Sequence, residues 1–349
     1  MGRLDEAIDV LVNNAGASDD RAQPLVEQSP FAQLSLLDLN LRAPFAVLRA
    51  VRPLLCHRSR VVNVASGAGL RAIPFRGYYS ATKAGLIARS RVAAADPDGP
   101  MINTLCPGFV RTELVDRLIQ SGRLDPRRAV ARIPLGRMAK PQEVADAIVF
   151  LANVDREALS GETFRVCGGS SVYGGSADFD PALIAPCPQD SPVSIQYRDP
   201  VRFLHRSDAP STSMFPARGY AAIVDSRLLG LDDFVQEHRR PASGAEPLLF
   251  ELHQAVSEFA LHHAERASLT LLLPSEFSGE RSEVRAGLHA AARMLIATLA
   301  CELAQRALRV NAIEVGPTDS SAGLEQLIHF IAGPRAQFVT GQVLRSGYV

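Results

Sequence analysis

The sequence predicts an α/β protein with two successive units, each a doubly wound parallel sheet covered by helices. Short β-branched apolar runs, such as residues 61–64, alternate along the chain with longer segments that have helical spacing. These runs lack the alternation of half-exposed strands, which indicates strands buried on both faces. The same order of segments recurs in weakened form in the second half. We therefore expect units at 1–169 and 216–349, joined by a Pro/Gly-rich linker at 170–215.

The chain starts with an apolar run, residues 8–12, that predicts a parallel strand ending at Asn13. Dinucleotide-binding sheets open instead with a strand and a glycine-rich turn, which holds the pyrophosphate at a helix N-terminus. No such turn is found near the start of this sequence. We expect a first sheet that lacks its initial βαβαβ half and exposes residues 8–13 as an uncharged edge. On this hypothesis the chain is the later part of a longer gene product, or a reading frame with a downstream start.

Residues 59–83 carry the strongest chemical pattern. A buried strand ends near Ser66, and a helix then opens around Tyr79 and Lys83. Because these two residues stand four apart, phenol and ammonium share one face of the helix. The positive charge favours loss of the phenol proton, so the pair can act as an acid or base near neutral pH. The alternative is an ordinary exposed helix pair without chemistry.

Together the motifs of the first half resemble those of the short-chain dehydrogenase/reductase family. In chain order they are Asn13-Asn14-Ala15-Gly16, Asn40, Ser66, Tyr79 with Lys83, Pro107-Gly108 with Thr112, the segment 133–137, and the closing segment 160–169. The chain departs from the family at Cys167, where an acidic residue is usual, and in having no glycine-rich turn.

The resemblance implies a Rossmann-like fold and an NAD(P)(H)-dependent oxidoreductase, with NADP preferred over NAD. It implies that Ser66 binds the substrate oxygen, that Tyr79 exchanges the proton, and that Lys83 holds the nicotinamide ribose. Asn40 would help to hold a water that relays protons to Lys83. The residues implied in cofactor binding are Asn13, Ala15, Gly16, Tyr79, Lys83, Pro107, Gly108 and Thr112.

The substrate is less sharply indicated. Residues 109–140 occupy the place of the family's substrate lid, and the resemblance favours a 3-oxoacyl-thioester or similar carbonyl reductase over small-alcohol or sugar dehydrogenases. Apolar lid residues such as Phe109 and Leu114 either line an acyl pocket or pack the lid down, and both readings stay open. A non-catalytic remnant or assembly module unable to bind dinucleotide is the alternative function. A hydrolase using Ser66 or Ser275 is disfavoured, because no activating His and acid accompany either serine.

The second half suggests a diverged copy of the first. Phe330 and the segment around Arg345 match Phe150 and the segment around Arg165 at a constant spacing. In this alignment His289 replaces Tyr79, Arg293 replaces Lys83, and most of the lid is missing. We therefore expect a degenerate, catalytically dead unit that packs on the first as an attached partner would. The chain would then be an intramolecular pseudo-dimer or form a homo-oligomer.

Composition sets the outer limits. Lys plus Arg and Asp plus Glu number 37 each, so no basic field indicates nucleic acid or an anionic membrane. Five scattered cysteines, with no C-x-x-C, fit a reduced cytoplasmic setting. His262, His263 and Glu265 do not match metal-ligand spacing, and we expect no metal. No apolar stretch is expected to reach transmembrane length, so we expect no membrane contact.

Overall fold

The structure is a computed structural model. It describes residues 7–18, 30–71, 73, 76–122, 124–155, 159–175, 178–179, 201–204, 221–230, 247–263, 266–275, 283–316 and 322–346. Most of the predicted linker, and the predicted start of the second unit at 216, lie outside the described residues. Two parallel sheets with helices around them confirm the α/β, Rossmann-like fold class.

The first sheet has four parallel strands in the order β1-β2-β3-β4. They are β1 Val10–Asn13, β2 Arg60–Val64, β3 Met101–Pro107 and β4 Thr163–Val166. β2 and β3 are buried almost throughout, as their unbroken apolar runs predict. In the described chain β1 is an edge strand, and the side chains of Val10 and Val12 are 40% and 38% exposed.

Six helices of the described chain accompany this sheet. They are α1 Pro30–Leu37, α2 Ala43–Val51, α3 Gly77–Ala94, α4 Glu113–Gln120, α5 Pro126–Val130 and α6 Pro141–Asn153. A π turn at Asp38–Arg42 joins α1 to α2. Capping residues and prolines in the sequence define where helices α5 and α6 begin. Asp125 caps α5 and prolines occupy the first helical positions of α5 and α6, where a missing N–H costs no hydrogen bond.

The second sheet has five parallel strands in the order β5-β6-β7-β8-β9. They are β5 Val201–Leu204, β6 Ala221–Asp225, β7 Ala267–Pro274, β8 Leu308–Val315 and β9 Val343–Arg345. Its helices are α7 Pro247–His262, α8 Glu283–Leu303 and α9 Ala322–Ala332. Strands β6 to β9 repeat the order and direction of β1 to β4, and β5 covers the outer edge of β6.

One hydrophobic core joins the two units. The rings of Phe150 in α6 and Phe330 in α9 stack with centroids 4.1 Å apart and an interplanar angle of 5°. Phe164 lies 6.0 Å from the first ring and 5.9 Å from the second. Backbone bonds extend the contact, since the Gly168 N–H donates to the Phe338 carbonyl at 2.9 Å. The closing segments of both units therefore pack against each other.

The prediction that no apolar stretch reaches transmembrane length is wrong. Residues Ala286–Arg306, which include most of α8, are long and apolar enough to cross a membrane by length and composition. Length alone is weak evidence for such a role, because one side of α8 packs on the second sheet through Ala292, Ile296 and Ala300. This packing accounts for one face of the helix only, since Met294 of the same helix is 67% exposed.

Candidate active site

The end of strand β2 fixes Ser66. Strand pairing continues one residue past β2, where the Ala65 N–H donates to the Leu105 carbonyl at 2.7 Å. The Ser66 hydroxyl then accepts from the Ala68 N–H at 3.1 Å and caps a short 3₁₀ turn, Gly67–Gly69. A β-carbon at Gly69 would come within 2.7 Å of the Lys83 backbone, so only glycine lets this turn lie against α3. Ser66 is thereby held at the carboxyl edge of the sheet.

The same strand end holds Lys83. Its ammonium donates to the Val64 carbonyl at 3.0 Å and lies 5.9 Å from the centroid of the Tyr79 ring. The residue is only 4% exposed. Burial lowers the pKa of Lys83, and the neighbouring Cys106 opposes that shift. Lys83 and Tyr79 thus have their ammonium and ring near each other beside α3, and an effect of the charge on the phenol stays a prediction.

Asn40 lies in the π turn between α1 and α2 and is 1% exposed. Its amide donates to the Ala17 carbonyl at 2.8 Å and to the Thr82 hydroxyl at 3.2 Å, and its oxygen accepts from the Ala17 N–H at 2.9 Å. The side chain thus ties the loop after β1 to α3. Turns of the π type are frequent at functional sites. The predicted water relay stays a prediction, since both amide protons of Asn40 have protein partners.

The end of β1 and the loop after it hold residues with different roles. The Asn13 amide donates to Asn63 at 2.7 Å and so joins β1 to β2, and Asn63 in turn donates to Ser90 at 2.8 Å. Gly16 approaches Asn40 and Lys83, because a β-carbon there would lie 3.1 Å from the Asn40 oxygen and 3.2 Å from the Lys83 nitrogen. The Asn13 amide therefore works inside the sheet, whereas Gly16 lies beside Lys83.

A cleft of about 220 Å³ opens at this edge of the sheet. Its lining consists of Ser18, Ser66, Gly67, Ala68, Arg71, Ile73, Arg76, Tyr79, Pro107, Gly108, Phe109, Ser170 and Ser171. Of the predicted site residues, Ser66, Tyr79, Pro107 and Gly108 meet here. Lys83 is not among the lining residues, and its ammonium lies 5.9 Å from the centroid of the Tyr79 ring.

The remaining predicted residues lie outside the lining. Asn40 and Gly16 support it, Asn13 is the last residue of β1, and Ala15 lies in the loop that follows. Thr112 caps α4, with its hydroxyl accepting from the Val115 N–H at 3.3 Å. Sequence reasoning missed Arg71 and Arg76, although both stand between the Ser66 and Tyr79 motifs.

The donors of the cleft suit the nicotinamide end of a dinucleotide. The lining includes the hydroxyl residues Ser66 and Tyr79, which can hydrogen-bond a ribose or a carbonyl oxygen, and the Lys83 ammonium, which donates to the Val64 carbonyl, lies 5.9 Å from the Tyr79 ring centroid. Gly108 lets the end of β3 pack closely on Cys167, because a β-carbon there would lie 2.9 Å from the Cys167 α-carbon. Within residues 7–18 no glycine-rich turn follows β1, so this part of the chain supplies no pyrophosphate cradle.

Comparison with known proteins assigns the first unit to a family. The family model described as Enoyl-(Acyl carrier protein) reductase matches residues 3–171. The chain is 34% identical over 166 residues to a 3-oxoacyl-acyl-carrier-protein reductase of Thermotoga maritima, and 32% identical over 166 residues to the protein of that name in Rickettsia conorii. Each match covers 46% of this chain, and they cover 65% and 67% of the two relatives. The chain thus spans about two thirds of the length of these relatives.

An uncharacterized short-chain type dehydrogenase/reductase of Sinorhizobium fredii is 38% identical over 164 residues, covering 46% of this chain and 30% of that protein. Among solved structures, "ElxO with NADP Bound" is 29% identical with a TM-score of 0.42, covering 46% of this chain and 66% of that one. A putative 2-deoxy-d-gluconate 3-dehydrogenase from Agrobacterium tumefaciens with bound NADP is also 29% identical, with a TM-score of 0.41 and coverages of 46% and 67%. The chain belongs to the short-chain dehydrogenase/reductase family.

Proposed function

We propose that the first unit is an NAD(P)(H)-dependent oxidoreductase that interconverts a carbonyl and a secondary alcohol. One observation carries the proposal: the Ser66 and Tyr79 side chains line one cleft, and the Lys83 ammonium lies 5.9 Å from the Tyr79 ring. A general acid and a second hydroxyl donor thus face the space that a substrate carbonyl would occupy.

The proposed mechanism assigns one role to each side chain. When bound, the nicotinamide supplies or accepts the hydride at the substrate carbon. Ser66 donates a hydrogen bond to the substrate oxygen and fixes its position. Tyr79 gives its proton to that oxygen during reduction and takes it back during oxidation. Lys83 stabilises the phenolate electrostatically and, with Tyr79, would hold the ribose.

The proposed substrate is a 3-oxoacyl thioester or a similar small carbonyl compound. The names of the relatives from Thermotoga maritima and Rickettsia conorii support this class. Phe109 lines the cleft, which favours an apolar wall for an acyl chain, whereas Leu114 in α4 is 59% exposed. We propose NADP ahead of NAD as the cofactor, in a cytoplasmic enzyme.

The test is reduction of a 3-oxobutanoyl thioester by the full chain, with NADPH and NADH compared by the loss of absorbance at the nicotinamide band. Tyr79→Phe is expected to lower kcat/KM by about 10²–10⁴ because the general acid is removed. Tyr78→Phe, which removes the hydroxyl of the adjacent tyrosine, is the matched control and is expected to keep its activity. Equal activity of the two variants would contradict the assignment of Tyr79.

Nucleotide binding separates this proposal from the alternative of a non-catalytic assembly module. We expect calorimetric titration of the full chain with NADPH to give a binding isotherm that Lys83→Met weakens. Absence of both binding and turnover with either nucleotide would favour the non-catalytic alternative.

We also propose that the second unit is a non-catalytic, diverged copy that packs on the first as a partner subunit would. Phe150 and Phe330 occupy matching positions in the two halves, and they stack directly on each other. Contact between equivalent residues is the mark of a two-fold, self-complementary interface. The chain would then form this interface within one molecule.

A further inference from the structure

Two arginines line the cleft beside the proposed catalytic residues. Arg71 and Arg76 come from the segment between the Ser66 turn and helix α3, and both contribute to the same cavity as Ser66 and Tyr79. Among the described residues that line this cavity there is no aspartate or glutamate. The described part of the lining therefore carries two positive charges and no negative charge.

The contacts of these arginines hold them at the cleft without cancelling their charge. The Arg71 guanidinium donates to the Ser170 carbonyl, and the Arg76 guanidinium donates to the Ser18 hydroxyl. Both acceptors are neutral, and a guanidinium has five N–H donors, so donors remain for a ligand. Across the described residues no ion pair involves Arg71 or Arg76.

Other arginines of the described chain behave differently. Arg137 makes a two-pronged bond to Glu143 at 2.7 and 2.8 Å, and Arg227 binds Asp225 at 2.7 Å. Uncompensated positive charge in a partly enclosed cleft raises the local concentration of anions. The planar guanidinium fork also matches carboxylate and phosphate oxygens geometrically.

On the basis that this cleft is the substrate pocket of the proposed oxidoreductase, we propose that Arg71 and Arg76 select carbonyl substrates that carry an anionic group. The group is a carboxylate or a phosphate attached to the part of the substrate that extends past Tyr79. A 3-oxo acid and a thioester of phosphopantetheine both have this chemistry, whereas simple ketones and neutral esters lack it. The arginines are thus specificity-determining residues and take no part in proton transfer.

The first experiment measures binding to the full chain by ligand-observed NMR, so that it needs no turnover. Acetoacetate is compared with acetoacetamide, which replaces the carboxylate by a neutral amide of the same shape. We expect acetoacetate to bind about tenfold to a hundredfold more tightly. Arg71→Gln and Arg76→Gln are each expected to remove most of that preference, and Tyr79→Phe is expected to keep it.

A second arm distinguishes the two anionic groups. The 3-oxobutanoyl thioester of phosphopantetheine is compared with the neutral thioester of N-acetylcysteamine, again by binding and, where turnover occurs, by kcat/KM. A preference for the phosphate-bearing thioester together with indifference to acetoacetate identifies phosphate as the selected group, and the reverse identifies carboxylate.

The matched control is Arg91→Gln, which removes an exposed arginine of α3 that does not line the cleft. It is expected to leave the anion preference unchanged, and Arg71→Lys, which keeps the charge but loses the fork, is expected to keep part of it. Melting temperatures identify any variant that fails to fold. Equal binding of the charged and neutral probes in both pairs, the acetoacetate pair and the thioester pair, overturns the inference, as does an equal loss of preference in Arg91→Gln. Failure of the proposed function alone appears instead as intact anion preference without turnover.

Discussion

The two units carry different side chains at matching positions on a helix and on the strand that follows it, α3 and β3 in the first unit and α8 and β8 in the second. We call these positions the first corner and the second corner. In the first unit Lys83 of α3 faces Cys106 of β3, and burial raises the pKa of that thiol to about 12, so it stays neutral. In the second unit the matching helix and strand positions hold Arg293 and Glu314. There the arginine binds the carboxylate at 2.7 Å. The first corner thus has a buried ammonium opposite a neutral thiol, whereas the second corner has an arginine–glutamate ion pair.

Two further differences distinguish the second unit from the first. His289, which the sequence alignment of the two halves pairs with Tyr79, is buried, with its Nδ1 3.7 Å from the Glu314 carboxylate. The register of β7 on β8 places Pro274, and not Ser275, where Ser66 stands in the first unit. No serine or tyrosine hydroxyl of the described second unit therefore occupies a position equivalent to Ser66 or Tyr79.

Glu314 shows how the second corner is stabilised. Burial raises the pKa of Glu314, but the nearby His289 ring and the charges of Arg293 and Arg345 outweigh it, so its pKa lies below its usual range. The two corners therefore use their polar groups differently. Hydroxyl groups at the first corner can bind a ligand, whereas the buried charges at the second corner pair with one another.

The largest expected difference between the corners is in turnover, and it is tested by replacing the basic residue of each corner with methionine. Lys83→Met is expected to lower kcat/KM by about 10²–10⁴, because Tyr79 loses the charge that stabilises its phenolate. Arg293→Met is expected to change kcat/KM by no more than about twofold. Steady-state kinetics on both variants, at equal folded fraction, measure the contrast. A comparable loss in the two variants would mean that the second unit takes part in catalysis.

The shared core gives the next largest effect. Phe330→Ala removes the ring that stacks on Phe150 and leaves a cavity between the units, so we expect a loss of about 3–5 kcal/mol in the free energy of unfolding. Phe250→Ala removes an exposed ring of α7 and is the matched control. Urea unfolding followed by circular dichroism measures both. If Phe330→Ala were as mild as the control, the packing of the two units would not stabilise the protein.

Glu314→Gln tests whether the second corner is structural. The change leaves the positive charges of Arg293 and Arg345 without their buried counter-charge, and we expect a loss of about 3 kcal/mol in the free energy of unfolding. Cys106→Ala, at the matching position of the first unit, is expected to cost about 1 kcal/mol. Chemical unfolding of the two variants gives the difference. A larger loss for the cysteine variant would reverse the comparison.

Much of the first corner could be predicted from the sequence, because its geometry follows from local rules. The spacing of Tyr79 and Lys83 on a helix, and the delivery of Ser66 by a parallel strand, need no knowledge of distant contacts. The guanidinium positions of Arg71 and Arg76 depend on the path of the loop before α3, which periodicity does not define. The use of Asn13 as a bond between strands depends on register with β2.

The second half was harder to predict for a different physical reason. Its periodicity indicates strands and helices, but the stacking of Phe150 on Phe330 depends on how two finished units meet. Strand β5 is a second example. The apolar residues 201–204 predict a strand, but they do not predict that this strand pairs with the edge of β6. Local patterns define elements, and only tertiary packing defines their neighbours.

The smallest predicted effect concerns the pH dependence of stability at the first corner. The pKa of Lys83 is lowered in the folded protein by burial, whereas an unfolded lysine titrates near 10.4. Between these two values the unfolded chain binds more protons, so the free energy of unfolding of the wild type rises with pH across this window. Lys83→Met lacks the group, and its stability relative to the wild type should therefore fall from pH 7 to pH 10, by no more than about 1.4 kcal/mol per pH unit.

Urea midpoints of the two proteins at both pH values measure this change in relative stability. Lys140→Met, which removes an exposed lysine, is the matched control. A difference that grows in favour of the variant at high pH would mean that the folded protein stabilises the charged ammonium, and the account of a desolvated lysine behind Tyr79 would be wrong.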